Sequence, residues 1–339
     1  MTISDRAYQM WACQYVEGQV RILKRQVRGA RLARNIEYVH QARVASRRLR
    51  TALQMFEDCF AKDKCDKWRR EIRRLTKRLG AARDTDVQIE FLKKFITDLP
   101  AKSKKLKPGL RRLMLRLRQR RQSIQPKVVK VLDRLDKKQV LDEIIAEINE
   151  ITVRCGKQHS KIQSQFVFQK TQEHISDRLT KLFSFEHSLN DPGDGKGHHQ
   201  MRIAAKHLRY TLEICNLPFE KKLDDHIKGI KQIQSLLGEL HDCDVWLDDI
   251  KQFSVDEKTR MVEYLGSIRA FKRLKRGIDH FVRQIRKERK RTYEQSVQYW
   301  KQFAGQDFWN KLDAILKEHN TTVAKIGIVK EKTDAVKNP

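Results

Sequence analysis

An all-α fold is what the sequence predicts, and three observations predict it. Apolar residues recur at helical spacing along most of the chain, with few alternating β-branched runs. Helix breakers are scarce, with 14 Gly and 6 Pro in 339 residues. An amphipathic stretch, HQARVASRRLRTAL at 40–53, returns as HQMRIAAKHLRYTL at 199–212.

Taken in order, Asp5–Leu32 reads as a helix with Ala7, Met10, Trp11, Tyr15, Val20, Leu23 and Val27 near one side. Phe166–Leu189 is its weak counterpart. A short connection around Arg28–Glu37 leads to the first copy of the repeated stretch. Lys62–Asp66 is charged and reads as a loop. Trp68–Leu79 is helical, with Trp68, Ile72, Leu75 and Leu79 on one face and Arg70, Arg73, Arg74 and Lys77 on the other. Ile227–Leu240 matches it, with Lys228 and Lys231 opposed to Ile230, Ile233, Leu237 and Leu240. Gly80 and Gly238 are expected to end or kink these helices, and Asp84 or Asp86 to cap the next one.

Ala101–Lys107 is a basic connection, and Leu110–Ile124 a very basic helix that Pro126 should break. Val128–Ile151 continues as a helix balanced by Asp142, Glu143, Glu147 and Glu150. Gly156–Lys161 is the expected boundary between halves spanning 5–155 and 160–316. Asn190–Gly197 (NDPGDGKG) reads as a flexible linker: it lacks the spacing of a phosphate loop, and no strand precedes it. Ile268–Lys287 is strongly amphipathic, with Arg269, Arg273, Arg276, His280, Arg283 and Lys287 in one stripe. Ser296–Leu316 is the last expected helix, and residues 320–339 form a polar tail expected to be disordered, as Met1–Ser4 is expected to fray.

The repeated stretch carries the chemistry. Positions i, i+3, i+7 and i+10 fall on one stripe of a helix. His40, Arg43, Arg47 and Arg50 occupy that stripe in the first copy, and His199, Arg202, Lys206 and Arg209 in the second. Ala45, Leu49, Ala52, Leu53 and Phe56 lie behind the first; Ala204, Leu208, Thr211, Leu212 and Cys215 lie behind the second. A solvated basic face is the ordinary explanation of one such helix, but two copies with matched residue classes weigh against it. A second element follows each copy: LGAARDTDV at 79–87 and LGELHDCDV at 237–245.

Net charge is +30, which favours polyanionic partners such as nucleic acid, polyphosphate or anionic lipid, or else an acidic protein. Apolar residues make up 39% of the chain, and no run approaches the ~20 residues of a membrane span. The six cysteines form no C-x-x-C pair, and Met1–Tyr15 is too polar for a secretory leader. The expectation is a cytoplasmic protein whose thiols act as small hydrophobes.

Two H-x-x-R-x-x-x-[RK]-x-L-R helices, each followed by L-G-x-x-x-D-x-D-V, resemble the CHAD family, the conserved histidine α-helical domain. The resemblance covers about Arg6 to Leu316. It implies two four-helix bundles related by pseudo-twofold symmetry, with a basic central surface or pore that binds inorganic polyphosphate without catalysis. Localisation, storage or regulation of polyphosphate, with association to its granules, is the role it implies. The stripe residues are then the expected ligands, joined by Arg48, Arg73, Lys77, Lys228, Lys231, Arg269, Arg273, Arg276 and Arg283.

Two other readings compete. His241-Asp242, with His198, His199 or His207 upstream, looks like part of a metal-dependent phosphohydrolase. The equivalents of His241 and His207 in the first half are Arg83 and Arg48, so the repeated pattern is cationic and no metal or cofactor is expected. The Asp pairs are expected to cap helices or orient arginines. Non-specific nucleic-acid binding suits the charge, but no helix-turn-helix, zinc finger or stacking platform is visible.

Overall fold

The computed structural model describes residues 5–156, 162–305 and 307–318, and these are helical nearly throughout. In chain order the helices are α1 (Arg6–Leu32), α2 (Ile36–Met55), α3 (Lys62–Thr97), α4 (Lys107–Lys137) and α5 (Val140–Cys155). Then follow α6 (Gln165–Phe183), α7 (Gly195–Cys215), α8 (Asp224–Leu265), α9 (Phe271–Gly305) and α10 (308–318). Short 3-10 turns precede α3, α4 and α7. Most of the expected boundary segment, the Met1–Ser4 end and the 320–339 tail lie outside the described residues.

Side-chain caps set several helix starts. Asp5 accepts from the Tyr8 N–H at α1, Asn35 from Glu37 at α2, Ser164 from Val167 at α6 and Asp194 from Gly197 at α7. The Asn190–Gly197 linker is therefore shorter than expected, because Gly195 already belongs to α7.

Several boundaries differ from expectation for one reason. Lys62–Asp66 is the first turn of α3, since Cys65 is buried and bonds the Leu53 carbonyl. Gly80 and Gly238 lie inside α3 and α8, so Asp84 and Asp86 cap nothing. An interior glycine costs about 1 kcal/mol relative to alanine. Burying a large apolar side chain yields ~1.5–3 kcal/mol, and Leu79 and Leu237 are both buried beside these glycines. Pro126 sits inside α4 by the same balance: its ~3 kcal/mol penalty is outweighed by Leu113, Leu117, Val128 and Leu132, buried on either side. The break falls instead at Gln139, whose φ of 48° starts α5. Likewise the part of Ile268–Lys287 from Phe271 onward and the start of the last expected helix are joined in α9.

α1 packs on α2, α2 on α3, and α3 on α4; α6, α7, α8 and α9 repeat the sequence-neighbour packing in the second half. The halves meet where α2 touches α7 and where α4 crosses α9. One apolar cluster, containing Tyr8, Trp11, Phe56, Leu49, Leu208 and Phe219, spans residues of both halves. A second joins Leu92, Leu110, Trp246 and Phe281 from α3, α4, α8 and α9. All six cysteines are buried and unbridged. Among the described residues no helix is long and apolar enough to cross a membrane.

The α4–α9 crossing depends on two glycines. A Cβ on Gly109 would stand 2.1 Å from the Leu274 carbonyl oxygen, and one on Gly277 would stand 2.1 Å from that of Leu106. Backbone cannot yield as a flexible side chain does. Gly109→Ala or Gly277→Ala should therefore destabilise the protein by about 1–3 kcal/mol in chemical denaturation. Gly18→Ala, at a position with open space around it, is the control expected to be neutral or stabilising.

Candidate functional site

The two repeated helices, α2 and α7, pack against one another and bring their basic stripes together. Their apolar backs are buried as the periodicity requires, Leu49 and Leu53 on α2 and Leu208 and Leu212 on α7. The stripe residues are all half-buried. Tyr210, itself buried, has two guanidiniums over its ring: Arg47 is 5.5 Å and Arg209 4.9 Å from the centroid. Glu213 takes Arg48 of the other half at 2.9 Å and Arg209 of its own helix at 3.6 Å. Arg48 is thus tied into the α2–α7 contact.

Arg43, Arg47, Arg202 and Lys206 act on one another electrostatically. Burial, followed by Arg47, Arg202, Arg50 and Arg43, brings the Lys206 ammonium down to about 7. All four of these neighbours are cations. Burial likewise lowers Arg47 to about 10; Tyr210 supports its charge, while Arg43, Arg202 and Arg209 oppose it. Arg50 is lowered by burial and then by Arg73 and Arg69, which places Arg73 at the stripe's far end.

The D-x-D elements frame this cluster. The first aspartate of each faces a stripe arginine. Asp84 accepts from Arg43 at 3.1 Å, and Asp242 supports the charge of Arg202. Burial raises Asp242 to about 6, with Arg202 opposing the rise and Asp84 adding to it. The second aspartate holds an arginine of the last long helix in its half. Asp86 accepts from Arg121 of α4 at 2.7 Å, and Asp244 accepts from Arg289 of α9 at 2.5 Å. Arg121 and Arg289 were not singled out in the sequence. The available signal was the second aspartate itself, a carboxylate on a buried helix face that requires a cation.

The histidines are held neutral. The Nδ1 atoms of His199 and His241 lie 3.1 Å apart, so one donates to the other. Burial, then Arg202 and His199, brings His241 down to about 4. Burial, then Lys206, Arg178 and Arg50, brings His207 down to about 3. His40 and His199 are lowered by burial and by neighbouring arginines, Arg83 for His40 and Arg202 for His199. A protonated histidine donor in the stripe is therefore disfavoured at neutral pH. Among the described residues no three His, Cys, Asp or Glu side chains form a metal-binding group.

The remaining candidates are dispersed. Lys77 is exposed one turn beyond Arg73, and Lys231 is exposed on α8. Lys228 pairs with Asp225 at 3.0 Å on the surface. Arg269, Arg273, Arg276 and Arg283 are exposed before and along the first half of α9, whereas the D-x-D contact from α9 is made by Arg289.

No curated protein matches the chain significantly. The crystal structure of the CHAD domain from the plant Ricinus communis has a similar fold, with 19% identity, 94% of each chain covered and a TM-score of 0.57. PptA from Streptomyces chartreusis is similar over 87% of this chain and 99% of its own, with 15% identity and a TM-score of 0.59. At these identities the likeness is one of fold. The family model for the CHAD domain matches residues 14–250, most of the chain and both repeated helices, and the protein therefore belongs to the CHAD family.

Proposed function

We propose that the protein binds inorganic polyphosphate, without catalysis, along the paired stripes His40, Arg43, Arg47, Arg50 and His199, Arg202, Lys206, Arg209. The observation that carries this reading is the cluster of Arg43, Arg47, Arg202 and Lys206, half-buried and mutually repelling. A linear polyanion would relieve that repulsion, offering charge and oxygen acceptors at each phosphoryl unit to the guanidinium forks. Asp84 and Glu213 hold the arginines in place from the sides. Localisation or storage of polyphosphate in the cytoplasm, at its granules, is the role this binding serves.

Nucleic acid is the rival polyanion. Tyr210, the ring against Arg47 and Arg209, is 3% exposed, so it offers no stacking face to a base. Long polyphosphate should outcompete duplex DNA and single-stranded RNA at matched charge and salt.

The direct test replaces Arg43, Arg47 and Arg50 by Gln, and separately Arg202, Lys206 and Arg209. Gln preserves helix propensity, and the apolar backs are untouched. By analogy with counterion release, each triple variant should flatten the slope of log affinity against log salt by about two to three. Long chains should lose more than short ones, because contact with the second stripe is intramolecular. If both variants remain helical by circular dichroism yet keep wild-type affinity and slope, the stripes are solvated faces and the reading fails.

A further inference from the structure

The two D-x-D helices differ in length, and the difference has a chemistry of its own. At the offset that superposes Asp84 on Asp242, the last residue of α3, Thr97, corresponds to Val255. α8 continues past that point to Leu265, where Gly266 in the left-handed conformation ends it. At the equivalent point α3 has already ended, and the chain runs through a 3-10 segment, Ala101–Leu106, into α4.

This extension carries apolar side chains into solvent. Tyr264 is 81% exposed, Leu265 65%, and Val262 and Ile268 53% each. No large hydrophobic between Thr97 and Lys107, at the equivalent end of the first half, is exposed in this way. The tip is not loosely attached. Met261, Phe271 and Leu274 form a small buried cluster beneath it, and the Lys258 ammonium lies 5.2 Å from the centroid of the Phe271 ring.

Basic residues flank the apolar tip on both sides in the sequence. Residues 258–276 hold Lys258, Arg260, Arg269, Lys272, Arg273, Lys275 and Arg276 against one acid, Glu263. The nearby buried Glu257 is already engaged by Arg112, Arg116 and Arg260. Exposed apolar groups flanked by cations match the cross-section of an anionic bilayer, where acyl chains lie below a layer of negative headgroups. The same charge disfavours docking a second copy of this chain tip to tip. Aliphatic side chains add nothing to a contact with phosphate chains. A short amphipathic tip fits shallow insertion.

We propose that the α8–α9 tip is a membrane-surface anchor that inserts Val262, Tyr264, Leu265 and Ile268 into anionic lipid bilayers, with the flanking lysines and arginines on the headgroups. The site is separate from the stripes, so the protein can hold a polyanion and a membrane at once.

Flotation of the full chain with vesicles tests this. Vesicles of phosphatidylcholine alone are compared with vesicles containing phosphatidylglycerol, at physiological salt. Wild type should float with the anionic vesicles only. Tyr264→Ser with Leu265→Ser, and separately Val262→Ser with Ile268→Ser, should each reduce partitioning about tenfold or more while leaving polyphosphate affinity unchanged. These side chains are exposed, so the fold should survive; circular dichroism of both double variants checks it. The Arg43, Arg47, Arg50 to Gln variant should float like wild type. Absence of wild-type binding, equal binding by both folded Ser variants, or loss of binding in the stripe variant each overturns the proposal. So does a self-association in solution that the Ser variants abolish without any vesicle binding.

Discussion

Lys206→Met should raise the stability of the ligand-free protein below pH 7 while weakening its binding of polyphosphate. Burial and four arginines hold the Lys206 ammonium at about 7, against an ordinary 10.5. The folded state therefore disfavours the charge that the unfolded state carries freely. Below pH 7 both states are protonated, and the penalty is fully present. Between about 7 and 10.5 the unfolded state binds more protons, so Lys206 makes stability rise with pH across that window. The shift corresponds formally to several kcal/mol, but the side chain is only half-buried and solvent screens it. A gain of ~1–3 kcal/mol for Met at pH 6, shrinking towards pH 10, is expected in urea denaturation. Loss of a charge-assisted contact worth roughly 1.5–3 kcal/mol should cost ten- to a hundredfold in affinity. A site selected for its ligand at the expense of the empty fold behaves in this way. A Met variant less stable than wild type at pH 6 would mean that the cations are not in conflict.

Polyphosphate affinity should fall as pH rises from 7 to 9. In the free protein Lys206 loses its proton around 7. A bound polyanion replaces the repulsion of Arg47, Arg202, Arg50 and Arg43 with attraction and restores that proton. Binding above pH 7 thus takes up about one proton, and log affinity should fall by up to one per pH unit. Asp242, raised to about 6, acts in the same direction at lower pH, because its ionisation adds a negative charge beside Arg202. Long chains are the right probe, since their terminal phosphates are few. Calorimetry in two buffers of different ionisation enthalpy should show uptake near one proton at pH 8. Lys206→Arg should flatten the profile, as arginine stays charged. A flat wild-type profile would remove Lys206 from the site.

The sequence by itself determined the all-α class, the two repeated helices and the division of each into a basic stripe and an apolar back. Those features are periodic, and period is a local property that one strand of text carries in full. It also marked the D-x-D elements and identified orientation of arginines as one use for them, which Asp84, Asp86 and Asp244 make of their carboxylates. Only the tertiary structure decided what those stripes meet. Glu213 binding Arg48 across the two halves, Tyr210 against Arg47 and Arg209, and Arg121 and Arg289 on the second aspartates all depend on which faces pack together. The neutrality of His199, His207 and His241 is likewise a consequence of burial beside cations, which no spacing encodes. Tertiary packing also carried α3, α4 and α8 straight through Gly80, Pro126 and Gly238, where local propensity alone predicted breaks. A breaker costs about 1–3 kcal/mol once, while each buried leucine or isoleucine on the same helix returns a comparable amount, and these helices bury many.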